Sequence, residues 1–575
     1  MATLALTAFF LLFIWNMAAT SDGAYDYDTS SYTQCEIYPA APLYNGGILI
    51  NPSFEDGTHG WTELIGNSKL HIETQNNGNK YIVASNRQMT YHSPSQKLQN
   101  LSQDAKYTLS AWVQIRGAVN SALVKASVSM DGKTYISAGN IMAKNGCWSF
   151  LKGGFVPDWS PTHSKLYFES SNKHVDILVD SVSLQPFTDE QWRLQQEERI
   201  RTKRMGIVIV HVTDVHGNTL EKANVAVKQK SRRFPLGSAI AQTILGNEPY
   251  QRWFKKRFNT AVFENELKWY FTEPQQGNLD YKFADKMLAW CNANGINVRG
   301  HNIFWEDPKY IPSWVTKLNN EELQKAVNYR IKSVVGRYAG KFINWDVSNE
   351  MLHFSFYEDR LGPNASYTFY LAAQRLDPRT PMFMNDYNII ETSQDPNSTV
   401  DEYIEMLRKI KHSGRVMEGI GLESHFSKPN LPYMRAVLDK LGTLGLPIWL
   451  TEVDVNSNFD HQTQATYLEE ILREGFAHPA VEGIVMWTAL HPYGCYRMCL
   501  TDYNMRNLPA GETVDRLLFQ DWMTSVRGET DKNGSINFQG FFGDYDLSVS
   551  LNGKTATQAM SVYQGDGIQH LYIQI

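Results

Sequence analysis

Asn344-Trp345-Asp346-Val347-Ser348-Asn349-Glu350 is a short apolar run that stops on a polar Asn-Glu pair. A second run of the same kind, Pro447-Ile448-Trp449-Leu450-Thr451-Glu452-Val453-Asp454, also closes on a carboxylate. Both have the length and composition of a buried strand. They belong to a series: between residues 231 and 525, apolar segments at 235–239, 260–263, 298–305, 342–347, 382–386, 419–424, 448–453 and 483–487 alternate with amphipathic helical stretches. In one of these, after Asn319 and Asn320 as caps, Leu323, Val327, Ile331 and Val334 recur on a single helix face. Eight strands separated by eight crossovers predict a (β/α)8 barrel. A doubly wound sheet is the competing fold, but it would not place unusual polar residues at nearly every strand end.

Function in such a barrel collects at the C-terminal ends of the strands. The second segment ends in Phe263-Glu264-Asn265-Glu266-Leu267-Lys268-Trp269, the third in Arg299-Gly300-His301-Asn302-Ile303-Phe304-Trp305, the sixth in Glu423-Ser424-His425 and the eighth in Met486-Trp487-Thr488. Glu350 and Glu452 read as a catalytic pair, because glycosidic cleavage needs one carboxyl to protonate the leaving oxygen and another to attack or to activate water. Taken singly, each carboxylate is equally well a rim or salt-bridge residue, and His425, Asp346 and Arg299 are equally well structural. The shared scaffold is what gathers them into one site.

Outward from the barrel, residues 45–186 form short alternating segments broken by Gly, Asn, Ser and Asp, which predict an all-β sandwich with nothing catalytic in it. A binding module is the leading reading and a spacer the alternative. Residues 187–204 read as a charged helical linker capped by Thr188 or Asp189. The stretches 205–230 and 526–575 each carry alternating strand patterns, and since a barrel's two ends lie close together they are expected to meet as one small accessory β module.

Residues 4–19 are apolar but too short for a membrane span, and Thr20-Ser21-Asp22-Gly23-Ala24 follow, so residues 1–24 read as a secretory signal peptide. Secretion fits the sequons at Asn100, Asn364, Asn397 and Asn533, and permits disulfides among five cysteines. Cys495 and Cys499 are close enough to staple one loop, Cys35 is a candidate to tie an N-terminal arm to Cys147, and Cys291 lies on an apolar helix face as a buried thiol. No His/Cys spacing marks a metal site, and no phosphate loop or dinucleotide fingerprint is present. A net charge of −6 gives no electrostatic reason to expect nucleic acid. No membrane partner is expected, and the chain is read as a monomer. The 15 Trp and 29 Tyr residues offer flat faces suited to sugar rings.

The six strand-end motifs, in this order, closely resemble family 10 glycoside hydrolases, the retaining endo-β-1,4-xylanases. The resemblance implies Glu350 as acid/base and Glu452 as nucleophile, supported by Asn349, His425 and Asp454. Glu264, Asn265, Lys268, His301, Trp305, Trp487 and Glu423 would bind the sugar, with no cofactor required. Asn51-Pro52-Ser53-Phe54-Glu55, Arg87 with Tyr91, Gly146-Cys147-Trp148 and Leu166-Tyr167-Phe168-Glu169 resemble the family 22 carbohydrate-binding modules that recognise xylan. That likeness makes Arg87, Tyr91, Tyr167 and Glu169 ligand candidates and allows a structural calcium. The pairing of module and barrel, with the long flanks, looks like the plant cell-wall members, so an extracellular or wall location is implied.

Three departures stand out. Glu306 follows Trp305 where most of the family has His. Glu423 stands where Gln is common, and as a third carboxylate is expected to raise the pKa values of the pair. The usual second Trp after Trp487 is missing, with Tyr493 or Tyr496 as its substitute. The expectation is a secreted retaining endo-β-1,4-xylanase acting on cell-wall xylan. The alternatives are xylan endotransglycosylation and a catalytically weak xylan-binding wall protein.

Overall fold

The structure, a computed structural model, describes residues 26–64, 69–411, 418–565 and 567–575, so the leader expected over residues 1–24 lies outside the described residues. All elements below belong to residues 31–575, which pack as one unit.

The barrel is built from parallel strands in the order of the chain: Leu236–Ile240, Thr260–Phe263, a third strand in two pieces, Trp345–Asn349, Met382–Asp386, Gly419–Leu422, Ile448–Val455 and Val481–Met486, the last pairing back to the first. The third strand differs from the continuous 298–305 run expected. Asn297–Arg299 pairs with the second strand and Phe304–Trp305 with the fourth. Between them Gly300 bridges Trp345 and closes the ring. A Cβ on Gly300 would meet the Trp345 ring at 2.4 Å, so only glycine admits this approach. The sixth strand is interrupted in the same way: His425–Phe426 resumes after a positive-φ Ser424 and pairs with Asp454 and Val455 of the seventh. Each break throws side chains inward at the end where polar residues gather.

The barrel interior holds Ala239, Val262, Phe383, Trp449, Val485 and Trp487. Fully buried Arg299 lies below the site, paired with Asp346 at 2.6 Å and facing the rings of Phe383 and Trp449. A buried pair of this kind holds its partners in register more than it adds stability, since desolvating both ions offsets most of the attraction.

The N-terminal sandwich stacks two five-stranded antiparallel sheets. One runs Trp61–Glu63, Pro94–Leu98, Ser164–Glu169, Ser121–Met130, Thr134–Lys144; the other runs Lys69–Thr74, Lys80–Ser85, Asp176–Thr188, Ala105–Arg116, Ser149–Phe155. Alternate residues such as Leu109, Val113, Val124, Val128 and Phe168 point into the shared core. The sandwich is docked on the barrel. Helix Leu431–Gly442 is buried along nearly its whole length because strand Ser149–Phe155 covers the face a barrel helix would normally expose. Contact is close enough that a Cβ on Gly154 would meet Pro432 at 2.5 Å, and Asn430 Nδ2 donates to Gly154 O at 2.9 Å. A buried Lys152–Asp439 pair at 3.3 Å seals the contact.

Helix Asp189–Arg204 connects the two, started by a capping box in which Thr188 and Gln191 satisfy each other's backbone N–H groups. Its Trp192 and Gln196 donate to Glu474, which Arg435 also grips. The flanks of the barrel pair with each other. Met205–Thr213 lies between Ser535–Phe541 and Gln569–Gln574, and Asn224–Gln229 between Ser525–Glu529 and Gly543–Leu551, around a core of Val208, Val210, Val225, Val227, Leu547 and Val549.

Candidate active site

Glu350 and Glu452 end the fourth strand and sit within the seventh, and both are nearly fully buried. Their environments pull them apart. Burial pushes the Glu350 carboxyl up to about 7, aided by the charges of Asp386 and Glu452; Lys268 and the Trp305 indole offset part of that rise, although the indole Nε1 has no hydrogen bond of ordinary geometry. For Glu452 burial acts in the same direction, but His301, His425 and Lys268 outweigh it and hold the carboxyl down at about 2. His301 Nε2 lies 3.7 Å from one Glu452 oxygen and His425 Nε2 3.4 Å from the other.

Both histidines are oriented from behind. His425 Nδ1 meets Asp454 at 3.0 Å; burial would lower its pKa, but Asp454 and Glu452 raise it to about 10. Asp454 is itself paired with Arg497 at 3.2 Å. His301 Nδ1 meets Asp346 at 2.9 Å, on the carboxylate that Arg299 fixes from below. The nucleophile-side carboxylate is thus flanked by two imidazoles whose ring planes are each set by an aspartate.

Asn385, at the end of the fifth strand, was not singled out in the sequence. Its Oδ1 accepts from Thr451 Oγ1 at 2.6 Å, which turns its Nδ2 toward Glu452 at 3.0 Å, Asn349 Oδ1 at 2.9 Å and Glu423 at 3.4 Å. Asn349 Nδ2 in turn donates to Glu423 at 3.3 Å. The signal for Asn385 was a polar residue closing the strand run Met382-Phe383-Met384-Asn385.

Glu423 corrects an expectation. The rise falls on its own carboxyl, driven well above the usual range by burial and then by Glu452 and Glu350, while Glu452 is held low and Glu350 is raised chiefly by burial. Glu423, His425 and Glu452 bring ligand-capable atoms within 4.8 Å of one another, the one such group among the described residues. A cation there would cover Glu452 and compete with the cationic His425, so the cluster reads as the hydrogen-bond shell of the carboxylate. Glu306 is fully buried behind the fourth strand, accepting from Ser348 Oγ at 3.0 Å, and does not reach the cleft floor.

The remaining barrel candidates form one wall. Lys268 lies 4.4 Å from the Trp305 ring and 5.4 Å from Trp487, with burial lowering its pKa against the pull of Glu452, Glu264 and Glu350. Trp305 stacks on Tyr310 at 4.0 Å, and Trp487 sits edge-on to His301 at 5.4 Å. Glu264 accepts from Asn265 and is tied to His491, whose pKa it raises. Tyr493 is fully exposed, and of the two tyrosines offered for the missing Trp it is Tyr496 that lies against His425, at 5.9 Å. The Cys495–Cys499 disulfide closes this loop, and Cys35–Cys147 ties the N-terminal arm to the sandwich.

On the sandwich, a groove of about 1110 Å³ is lined by Tyr91, Tyr135, Tyr167 and Glu169, with Lys97 and Lys165 at its edges. Glu169 accepts from Ser127 Oγ at 2.6 Å and Tyr167 is nearly buried beneath it. Tyr135, 61% exposed, was missed because its strand carries no other aromatic to mark the face. Arg87 is a correction. Its guanidinium is buried and donates to the carbonyls of Thr90, His92, Ser170, Asn172 and Val175, so it ties loops together and has no donor left for a ligand. The four sequon asparagines, Asn100, Asn364, Asn397 and Asn533, are all exposed.

Residues 224–504 match the profile described as glycosyl hydrolase family 10, and residues 46–174 one described as a carbohydrate binding domain. Two Arabidopsis thaliana proteins, endo-1,4-beta-xylanase 5 and endo-1,4-beta-xylanase 5-like, are 38% and 35% identical over 77% and 94% of this chain and 79% and 92% of their own lengths. Endo-1,4-beta-xylanase 1 of the same plant is 34% identical over 88% of this chain, which spans 55% of that longer protein. Among solved structures, xylanase 10B from Thermotoga petrophila in complex with xylobiose aligns at 25% identity with a TM-score of 0.45, covering 50% of this chain and 94% of that one.

Proposed function

The chain belongs to glycosyl hydrolase family 10, and from that premise we infer that it is a retaining endo-1,4-β-xylanase working through Glu350 and Glu452. The observation that carries the reading is the opposite tuning of two carboxyls in one cleft, one at about 7 and one at about 2. Ionised Glu452 attacks the anomeric carbon while Glu350 gives its proton to the leaving oxygen, forming a glycosyl ester. Esterification removes the charge of Glu452, so Glu350 becomes more acidic and is ready to take a proton from the incoming water. Attack by that water cleaves the ester with overall retention. His301 and His425 hold Glu452 ionised, and Asn349 is placed to bond the hydroxyl next to the reacting carbon. No cofactor enters these steps.

The groove on the sandwich takes a xylan chain, with Tyr91 and Tyr135 as stacking faces and Glu169 as acceptor. The described residues do not fit the structural calcium that the family 22 resemblance allows: Asp180, fully buried and raised by burial to about 7, already accepts from Asn79 Nδ2 and Ser181 N–H, and no group of three carboxylate, His or Cys ligands among them surrounds it. Secretion to the cell wall is part of this reading, supported by two disulfides, which need an oxidising compartment.

Incubation with xylan and xylo-oligosaccharides, wild type beside Glu452→Ala, tests the reading. Shorter products that keep the β-anomer and vanish in the variant are expected. Products longer than the starting oligosaccharide point to transglycosylation, and no product from either protein with xylan still bound overturns the enzyme reading.

A further inference from the structure

The segment between the fifth barrel strand and helix Val400–Lys411 touches the sandwich on one side and residues of the cleft on the other. Ser393 Oγ donates to Ser137 O and Oγ at 3.0 and 2.8 Å, and Asn140 Nδ2, buried, donates to Ser393 O at 2.8 Å. Lys125 reaches Gln394 O at 3.2 Å, and at the head of the helix Asp401 accepts from Met142 N at 2.9 Å. Ser137, Asn140 and Met142 all lie on strand Thr134–Lys144, the edge of the groove-bearing sheet.

Toward the cleft, the same segment makes two sets of bonds. Glu391 accepts from the backbone N–H groups of Ser424 and His425 at 2.9 and 3.1 Å, fixing the interruption of the sixth strand. Asp395 accepts at 3.0 Å from His353 Nε2, whose Nδ1 meets Asp386 at 2.7 Å and whose ring stacks on Tyr387 at 3.8 Å. His353 N–H donates to Glu350 O at 3.2 Å, and Asp386 also receives Leu352 N–H at 2.8 Å. Burial alone would lower the His353 pKa, but Asp386 and Asp395 raise it, and with one carboxyl group on each ring nitrogen the imidazole is held from both sides beside the turn that carries Glu350. Glu350 itself holds a positive φ of 60°, a backbone state that needs support from its surroundings.

We propose that residues 387–399 brace the acid/base: the docked sandwich fixes Ser393, and Asp395, His353 and Asp386 carry that fixed position to the Glu350 turn. His353 is therefore a positioning residue, and the sandwich is part of the catalytic unit in addition to binding polymer. This rests on the reading of Glu350 as acid/base.

The test compares two substrates that differ in their need for a proton. Xylotetraose has a poor leaving group and depends on a well-aimed acid. A dinitrophenyl xylobioside expels its aglycone without protonation. For His353→Gln, and separately for the interface variant Asn140→Ala/Ser393→Ala, kcat/KM on xylotetraose falls about tenfold, in line with what small misplacements of a reacting group cost. On the aryl substrate it stays within about twofold. Retention on xylan is unchanged in both. Should the double variant fold poorly by circular dichroism, Lys125→Ala is the milder replacement at the same contact. Equal loss on both substrates, or loss on neither, overturns the proposal. Glu350→Ala, run in parallel, tests the reading underneath: if Glu350 is the acid it keeps kcat/KM on the aryl substrate, with kcat lowered because the base for deglycosylation is gone, and loses xylotetraose cleavage; a different pattern assigns the failure to that reading and not to the brace.

Discussion

Replacing Glu452 by Gln removes one of the charges that hold the Glu350 proton, and the structure says how much should remain. The rise of Glu350 from 4.5 to about 7 corresponds to roughly 3 kcal/mol, at about 1.36 kcal/mol per pH unit. Burial is its largest cause; Asp386 and Glu452 add smaller parts, partly offset by Trp305 and Lys268. Glu452→Gln therefore leaves the greater share in place, and Glu350 titrates between about 5.5 and 6.5 in the variant. The assay is a 13C titration of glutamate-labelled protein, in which the Glu350 carboxyl is identified by its loss in Glu350→Gln. A midpoint at 4.5 would show that charge and not burial dominates; one that stays at 7 would show that the two carboxyls do not sense each other. The first result refutes burial as the main cause of the rise, and the second refutes the account of how the acid becomes a base once Glu452 is esterified. The stability sign follows from the same shift. A carboxyl whose folded pKa is raised weakens the fold progressively as pH climbs from about 4.5 to 7, so Glu350→Gln raises the Tm at pH 7 and leaves it unchanged at pH 4.

Glu423, whose carboxyl burial and then Glu452 and Glu350 raise well above the usual range, tolerates replacement by its amide: Glu423→Gln keeps kcat/KM within about threefold, and its gain in Tm over wild type grows as pH climbs above 4.5 because the ionisable group is gone. Arg87→Met strips a buried cation from five carbonyls and destabilises the sandwich by about 3–5 kcal/mol, read by calorimetry. Tyr135→Ala, at an exposed position, changes stability by less than about 0.5 kcal/mol yet lowers retention on xylan in affinity electrophoresis. Removing the Cys35–Cys147 bridge, which spans 112 residues, costs roughly 3–5 kcal/mol on the chain-entropy account, seen as a lower denaturation midpoint.

The barrel was legible because its strands are bare apolar runs whose polar residues fall only at one end, and Glu350, Glu452, His301 and His425 all carried that mark. What stayed hidden depended on partners far away in the chain. Asn385 looks like any strand-terminal amide until Thr451 turns it, 66 residues later. Arg87 had the composition of a ligand contact, but three of its five carbonyl partners lie 83 to 88 residues away, which no local pattern displays. The effect of Glu423 was read with the wrong recipient, because sequence shows that three carboxylates are close and not which of them His301, His425 and Lys268 hold ionised. The breaks in the third and sixth strands arise from close approach at Gly300 and from a turn at Ser424, both invisible to apolar periodicity.

The strands on either side of the barrel impose an order on folding. Val208 to Thr213 pair with residues 569–574, more than 350 positions away, and Asn224–Gln229 with Ser525–Glu529 and Gly543–Leu551. During synthesis the early partners emerge with their hydrogen-bonding edges empty and wait for the whole barrel to be translated before their mates arrive. Such distant closure is slow, and it makes the module a late clasp: a nascent chain can form sandwich and barrel strands in sequence, but the seam that joins head to tail is sealed last.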